Sequence, residues 1–267
     1  MGIKMGTPPT ITAEPLGPPG LAGSLAINGD PTGVAFNNNG TSLFVEDWTP
    51  GDVLQYNLSN DFDITTASLT ASLSTNSQEP KVWGMAFNPN GTRLFITGTS
   101  NDTAYQYNLT TAFDVSTASF SGKSFNVSSQ ITNLNGVAFN NNGTRMFISG
   151  FGNNSIYQYS LTTGFDLSTV SFSGGSFNVN PEGLAFNNNG TRLFTLGKSP
   201  SRILQYNLTT AFDITTASFS GKSFDLSSEM SNPNGLAFND TGVRVAVAAE
   251  SPNSVFQYNL TAPFDLS

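Results

Sequence analysis

The sequence has no cysteine and no histidine, and only 10% of its 267 residues are charged. The absence of Cys excludes disulfides and thiol chemistry. The absence of His excludes Ser-His-Asp and Cys-His nucleophiles, His-ligated metals and the usual acid–base group near neutral pH. Only carboxylates remain for such chemistry. The sequence therefore predicts a protein that is not an enzyme and that uses no metal and no cofactor.

Basic clusters and long apolar runs are also missing. The formal net charge is −8, with 10 basic residues against 18 acidic ones. A phosphate-binding surface needs clustered Lys and Arg, whereas here they are scattered about one per repeat. No stretch approaches the roughly 20 apolar residues of a membrane span, and residues 1–20 lack the apolar run of a signal peptide. We expect neither a nucleic-acid partner nor membrane insertion, and no signal peptide is visible.

Glycine, Asn, Ser, Thr and Phe are plentiful, and they are arranged in internal repeats. A Gly-x-Ala-Phe-Asn motif recurs five times, at intervals of 47 to 52 residues. Its copies begin at Gly33, Gly84, Gly136, Gly183 and Gly235. A Phe-Asp pair follows each copy in the same phase. Two markers in phase establish a true repeat.

Each repeat has the pattern of four short strands, A to D. In the third repeat, strand A begins at Gly136, and the Asn-Asn-Asn-Gly stretch over residues 140–143 suits a tight hairpin, because these residues tolerate positive φ. Strand B follows, strand C alternates around Tyr157, and strand D runs towards Phe177. A four-stranded antiparallel unit of about 40–50 residues is typical of a propeller blade. The sequence predicts an all-β, five-bladed β-propeller.

The two ends of the chain complement each other. The last repeat stops at Ser267 without a strand D, while Ser24–Asn28 matches the strand D pattern of Ser176–Asn180. Pairing this N-terminal strand with the last blade would close the ring and remove its exposed edges. We therefore predict an extended Pro/Gly-rich arm over residues 1–23 and a propeller over residues 24–267. The alternative, a fragment of a larger propeller, would leave both ends unpaired.

Two segments resemble known repeats. Ala86–Phe95 (Ala-Phe-Asn-Pro-Asn-Gly-Thr-Arg-Leu-Phe) resembles the strand A–turn–strand B unit of YVTN- and TolB-type β-propellers. Tyr206–Phe219 is similar to propeller repeats of large surface proteins from marine bacteria and their phages. The resemblance covers residues 24–267 and implies the fold. Its implication for function is broad, because five-bladed relatives include lectins and glycosidases as well as scaffolds.

Carboxylates in the D-to-A connections are the candidates for catalysis. They are Asp30, Glu79, Glu182 and Glu229. A glycosidase would need two of them to converge, one with a raised pKa. The alternative is that they are solvated loop acids.

The Asp of the Phe-Asp pair recurs in every blade, at Asp63, Asp114, Asp166, Asp213 and Asp265. A residue that is present once per repeat is expected to have a structural role in each blade. We therefore expect this Asp to cap its turn or to pair with an Arg of the same or the next blade. The Arg candidates are Arg93, Arg145, Arg192 and Arg244. The alternative is five equivalent sugar or cation sites.

The repeats differ from one another mainly in their B–C loops and D–A connections, which emerge on one face of the ring. We call it the variable face, and the face of the A–B and C–D turns the uniform face. Recognition usually uses loops on a rigid scaffold. The candidate binding residues on the variable face are Trp48, Trp83, Asp102, Phe151, Lys198 and Arg202. Tryptophan stacks on sugars and anchors interfaces, although Trp83 could simply pack between blades and Trp48 could cover a loop.

The Pro- and Gly-rich residues 1–20 can neither form a helix nor bury much surface, so alone they are expected to be extended or disordered. They suit an arm that docks on neighbouring structural subunits. The sequence thus favours a non-enzymatic module displayed on a virion or cell surface, such as a phage decoration or tail component. Its variable face would meet a glycan or a host surface receptor. The alternatives are a lectin with repeated glycan sites and a carboxylate-only glycosidase.

Overall fold

The computed structural model describes residues 20–267, which form five four-stranded antiparallel sheets. Blade 1 contains β2 (Pro31–Phe36), β3 (Ser42–Asp47), β4 (Asp52–Leu58) and β5 (Ala67–Ser74). Blade 2 contains β6 (Val82–Phe87), β7 (Arg93–Gly98), β8 (Thr103–Leu109) and β9 (Ala118–Asn126). Blade 3 contains β10 (Leu134–Phe139), β11 (Arg145–Gly150), β12 (Ser155–Leu161) and β13 (Val170–Asn178).

Blade 4 contains β14 (Leu184–Phe186), β15 (Arg192–Lys198), β16 (Ser201–Leu208) and β17 (Ala217–Asp225). Blade 5 contains β18 (Pro233–Phe238), β19 (Arg244–Glu250), β20 (Asn253–Asn259) and, from the other end of the chain, β1 (Gly20–Ala26). The predicted five-bladed propeller is confirmed. The helical parts of residues 20–267 are four single turns of three residues, and none has the length and hydropathy of a membrane span.

The ring closes as the sequence predicts. Strand β1 pairs antiparallel with β20, with Leu25 opposite Val255 and Gly20 opposite Asn259. The two ends of the described chain are thus joined in one sheet, which excludes the open fragment. The strand begins at Gly20, within the arm predicted over residues 1–23, because its pairing continues to the end of β20. The rest of that arm lies outside the described residues.

Glycines bring the innermost strands together around the axis. The glycine of each Gly-x-Ala-Phe motif lies on strand A, the strand that packs against the other blades. A Cβ atom added to Gly84 would lie 2.6 Å from the Cα atom of Gly136, and one added to Gly235 would lie 2.9 Å from that of Gly33. The space among the five glycines is about 30 Å³, enough for one or two water molecules. A side chain at this level would push the blades apart, so the glycine ring closes the channel.

A glutamine on strand C connects each blade to the next. Its Oε1 atom accepts a hydrogen bond, 2.9–3.3 Å long, from the backbone N–H that follows the Phe-Asp pair of the next blade. Gln257 of blade 5 binds Ile64 of blade 1 and so completes the circle. The five residues are Gln55, Gln106, Gln158, Gln205 and Gln257. Each bond satisfies a backbone donor that would otherwise be buried without a partner.

The repeated Asp residues cap their turns, as expected. Asp63, for example, precedes a 3-10 turn at Ile64–Thr66 and accepts a hydrogen bond from the backbone N–H of Thr65. Equivalent turns are Val115–Thr117, Leu167–Thr169 and Ile214–Thr216, after Asp114, Asp166 and Asp213. Asp265 accepts from the N–H of Ser267 in the same way.

The expected pairing of these Asp residues with Arg occurs at one junction only among the described residues, where Arg192 Nη1 lies 3.8 Å from Asp265 Oδ2. Instead, the Arg side chains donate to the backbone carbonyl of the Phe in the next blade's Phe-Asp pair, at 2.5–2.9 Å. The closer partners of Asp166 and Asp265 are Lys123 and Lys222, each at 2.6 Å. The hydrogen bond from Lys123 lowers the pKa of Asp166 to about 2.

Candidate functional site

On the variable face, aromatic side chains from three blades form one continuous cluster over the closed axis. Trp48 follows β3 of blade 1, Trp83 lies on β6 of blade 2, and Phe151 follows β11 of blade 3. The Trp48 and Trp83 ring centroids lie 6.3 Å apart, those of Trp83 and Phe151 lie 5.2 Å apart, and both pairs are edge-to-face. Trp83 is only 7% exposed and packs between blades, whereas Trp48 and Phe151 are half-buried.

Two lysines lie over these rings. Lys198, at the end of β15 in blade 4, places Nζ 5.1 Å from the Trp83 centroid and 5.5 Å from that of Phe151. Lys81 places its ammonium 4.9 Å from the Trp48 centroid. All three distances are within the range of cation–π attraction. The cluster therefore combines contributions from four blades in an aromatic patch with two ammonium groups, which we call the aromatic–lysine patch.

Glu182 holds Lys198 in place. Its Oε2 atom lies 3.3 Å from Lys198 Nζ. Burial raises the pKa of Glu182, while the neighbouring Lys198 ammonium lowers it. The carboxyl group of Glu182 is thus the partner of the Lys198 ammonium group among the described residues.

Beneath the patch lies a set of buried polar groups. Glu46 is 0% exposed, and neither carboxyl oxygen has a hydrogen-bond partner among residues 20–267. Burial raises the pKa of Glu46 well above its usual value, and the nearby charge of Glu79 raises it further. The indole Nε1 atoms of Trp48 and Trp83 are buried without a hydrogen-bond acceptor in this part of the chain. A protonated Glu46 fits this environment, because a buried charge without a partner is costly.

Of the six predicted site residues, the structure brings four together and places two elsewhere. Asp102 lies in the B–C loop of blade 2, where its carboxylate accepts a hydrogen bond from the backbone N–H of Asn133 at 2.7 Å. It therefore ties this loop to the following D–A connection. Arg202 lies on β16, in register with Gly197 on one side and Asp225 on the other. Neither residue contributes to the aromatic–lysine patch.

Sequence reasoning missed Glu46 and Lys81. The signal for Glu46 is visible when the repeats are compared, because the equivalent strand B position is occupied by Thr97, Ser149, Leu196 and Ala248. A single carboxylate among small or apolar residues is unusual for a fully buried position. Nothing in the sequence points to Lys81, because its contact with Trp48 joins two neighbouring blades.

The four candidate catalytic acids hold separate contacts in different blades. Glu79 is fully buried, and its Oε1 accepts hydrogen bonds from the backbone N–H groups of Lys81 and Ser100. Glu182 pairs with Lys198 as described above. The backbone N–H of Asp30 donates to Asp47, and Glu229 accepts from the hydroxyl of Tyr258. Within residues 20–267, no three acidic side chains form a group with metal-binding geometry.

The uniform face carries an open cavity on the axis, which sequence reasoning did not predict. Its volume is about 390 Å³. The floor is formed by the residue after each ring glycine, namely Val34, Met85, Val137, Leu184 and Leu236. The wall is formed by Phe36, Phe87, Phe139, Phe186 and Phe238. We call it the axial funnel.

Comparisons with known proteins bear on the fold. No family model matches the sequence, and no curated protein matches it. A functionally unknown protein from Desulfotomaculum acetoxidans is similar in structure, with a TM-score of 0.56 and 15% identity over 89% of this chain and 85% of that one. The Cps50 (Swd1) β-propeller domain of Myceliophteria thermophila is similar with a TM-score of 0.55 and 10% sequence identity, over 91% of this chain and 100% of that one. A protein from Lactobacillus plantarum is similar with a TM-score of 0.52 and 14% sequence identity, over 88% of this chain and 73% of that one. At these identities the likeness shows that the chain shares the β-propeller fold, and the YVTN/TolB and phage resemblances stay predictions.

Proposed function

We propose that this propeller is a non-enzymatic recognition module whose aromatic–lysine patch binds a partner or a glycan. The observation that supports the proposal is the patch itself. Trp48, Trp83, Phe151 and Lys198 come from four different blades and meet at one point on the variable face. Aromatic residues are enriched where proteins bind partners, and aromatic rings stack on sugars.

The distribution of basic residues supports this choice of site. The four strand B arginines bind backbone carbonyls of neighbouring blades, and Lys123 and Lys222 pair with Asp residues. The remaining basic residues of the described chain, Lys81, Lys198 and Arg202, all lie on strands or connections that end on the variable face. Lys81 and Lys198 bring two ammonium groups to the patch itself, where they can donate hydrogen bonds to the oxygen atoms of a ligand.

A single composite site agrees better with these contacts than the alternatives do. A lectin with one site per blade would need a repeated polar group free to bind sugar, whereas the repeated Asp residues already cap turns. A carboxylate-only glycosidase would need two accessible acids on either side of a substrate. Glu79 is fully buried and engaged by backbone N–H groups.

We further propose display on a virion or cell surface, as in a phage decoration or tail component, with residues 1–20 docking on neighbouring structural subunits. The support is the resemblance of Tyr206–Phe219 to repeats of marine bacterial and phage surface proteins, together with the Pro-rich composition of the arm. Neither nucleic acid nor membrane insertion is part of the proposal.

The test is a broad glycan-binding screen of the intact chain beside a Trp48→Ala variant. Phe219→Ala is the matched control, because it removes an aromatic ring that is 56% exposed on the outer strand of blade 4, away from the patch. We expect binding that falls at least tenfold in Trp48→Ala and is unchanged in Phe219→Ala. An equal loss of binding in both variants, or binding that neither substitution changes, would contradict the assignment of the binding site to the patch.

A further inference from the structure

On the uniform face, an arginine joins neighbouring blades at four of the five junctions. It is the first residue of strand B, and its Nη1 atom donates to the backbone carbonyl of the Phe in the next blade's Phe-Asp pair. At three junctions the same Nη1 also donates to the preceding carbonyl, at 3.3 Å. Blade 1 has Ser42 at this position, opposite Asn57, just as Arg93 lies opposite Asn108. The junction of blades 1 and 2 therefore lacks this guanidinium group.

An open cavity of about 540 Å³ lies at this junction. The A–B turn of blade 1 and Ser42 line one side of it, and Ala112, Phe113 and Asp114 in the C–D turn of blade 2 line the other. Ala112 and Phe113 are equivalent to Gly164 and Phe165, whose carbonyl oxygens bind Arg93 at the next junction. The cavity thus lies where the other junctions hold an arginine side chain.

The oxygen atoms that would receive this arginine are available in the cavity. Within residues 20–267, the carbonyl oxygens of Ala112 and Phe113 accept no hydrogen bond. Asp114 Oδ1 accepts from the backbone N–H and the hydroxyl of Ser116, at 3.0 and 2.6 Å. Asp114 is the one charged residue among those that line the cavity.

The lysine that could neutralise Asp114 is also missing from blade 1. In blade 2, Lys123 reaches across to Asp166 of the next blade, at 2.6 Å. Ala71 has the same register position in blade 1. Asp114 forms no salt bridge within the described chain. A carboxylate without a cationic partner and two carbonyl oxygens are together an acceptor set for a guanidinium group, which only donates hydrogen bonds and carries a fixed charge.

This sequence has no arginine of its own that is free to fill the cavity. Residues 1–19 contain none. The four strand B arginines are bound to neighbouring blades, and Arg202 lies on a strand C residue near the variable face, on the other side of the ring. A guanidinium group in the cavity therefore has to come from another molecule.

We propose that the cavity between blades 1 and 2 binds an arginine side chain of a partner protein. The partner's guanidinium group takes the position that Arg93 and its equivalents have at the other junctions. Arginine suits the site because its planar group donates in several directions and is more easily dehydrated than an ammonium group. The net charge of −8 also favours the approach of a basic partner. This site lies on the uniform face and is independent of the aromatic–lysine patch.

The test is a titration of the isotope-labelled full chain with arginine blocked at both ends, followed by NMR at low ionic strength. We expect saturable shifts of the backbone amides of Phe113, Asp114 and Ser116. Blocked citrulline has the same shape without the charge, and it should bind at least about fivefold more weakly, because charge-assisted hydrogen bonds are the stronger ones. The absence of shifts at these amides, or equal binding of the two probes, would overturn the proposal.

Two variants test the position of the guanidinium group. Ser42→Arg supplies it from the chain itself and should weaken binding of blocked arginine at least tenfold, whereas the matched control Ser42→Ala should not. Arg145→Ser should create a second site beside Asp213, because that junction also lacks the lysine and has Gly175 instead. Circular dichroism checks that each variant is folded.

Unchanged binding in Ser42→Arg, or no new shifts near Asp213 in Arg145→Ser, would contradict the assignment. Sedimentation of the wild type beside Arg202→Gln examines a second copy as the source of the arginine. A wild-type dimer that Arg202→Gln dissociates would assign the cavity to a second copy and overturn the assignment to a partner protein. Because Trp48 is untouched, these results are independent of the glycan screen.

Discussion

The glutamine that joins blade 5 to blade 1 offers the sharpest test of how the ring is held together. Gln257 is 4% exposed, and its Oε1 accepts a 3.1 Å hydrogen bond from the backbone N–H of Ile64, which is itself fully buried. The substitution Gln257→Met keeps the length of the side chain and removes the acceptor. It leaves a buried N–H without a partner.

The expected cost follows from that buried donor. An unsatisfied buried hydrogen-bonding group destabilises a protein by about 1–3 kcal/mol. For a domain of this size, that loss lowers Tm by about 2–10 °C. The same substitution at Gln106 should cost a similar amount, because its Oε1 accepts from Leu167 N–H at the same 3.1 Å in an equally buried setting.

The assay is urea unfolding of the two variants beside wild type and a Gln130→Met control. Gln130 is half-buried, and among residues 20–267 its side-chain oxygen accepts only from the exposed hydroxyl of Ser129, so its replacement should cost less than about 0.5 kcal/mol. If Gln257→Met and Gln106→Met were no more costly than this control, the glutamines would not be holding the blades together.

Two further predictions concern the axis and the buried acid. Gly84→Ala should destabilise the protein by at least about 1–3 kcal/mol, because the new Cβ would meet the Cα atom of Gly136 at 2.6 Å. Gly197→Ala, whose Cβ would have its nearest neighbour at 3.6 Å, should have little effect in the same thermal unfolding series, and an equally small effect of both would refute the close packing of the glycine ring. The pKa of Glu46 is raised in the folded state, whereas in the unfolded chain it is about 4.3. The stability that protonated Glu46 contributes is therefore fully present below about pH 4.3. As the pH rises from there towards the folded pKa, the free energy of unfolding falls by about 1.4 kcal/mol per pH unit. Glu46→Gln should therefore gain stability over wild type as the pH is raised from 4 to 8, and parallel pH profiles of wild type and Glu46→Gln would contradict a raised pKa.

The fold could be predicted from the sequence because its determinants are local and repeated. The Asn-rich turn before Gly143 fixes a hairpin, since Gly143 has a φ of +70° and Asn140 accepts a hydrogen bond from the backbone N–H of Arg145. Five copies of this unit indicate five blades, and the unmatched strand near Leu25 indicates how they close. The capping role of the repeated Asp residues was likewise visible, because each acts on its own turn.

Contacts between blades decide which residues form the candidate site. These contacts could not be predicted from the sequence, because they join residues of different repeats. Trp83 and Lys198 are far apart in sequence and meet only because blades 2 and 4 both reach the axis. Asp102 was predicted as a binding residue together with them, but its carboxylate instead accepts a hydrogen bond from the backbone N–H of Asn133 in the following D–A connection. The axial funnel was hidden for a different reason. Its walls are the repeated Phe residues themselves, and only the closed ring turns five identical strand positions into one cavity that the glycine ring below them seals.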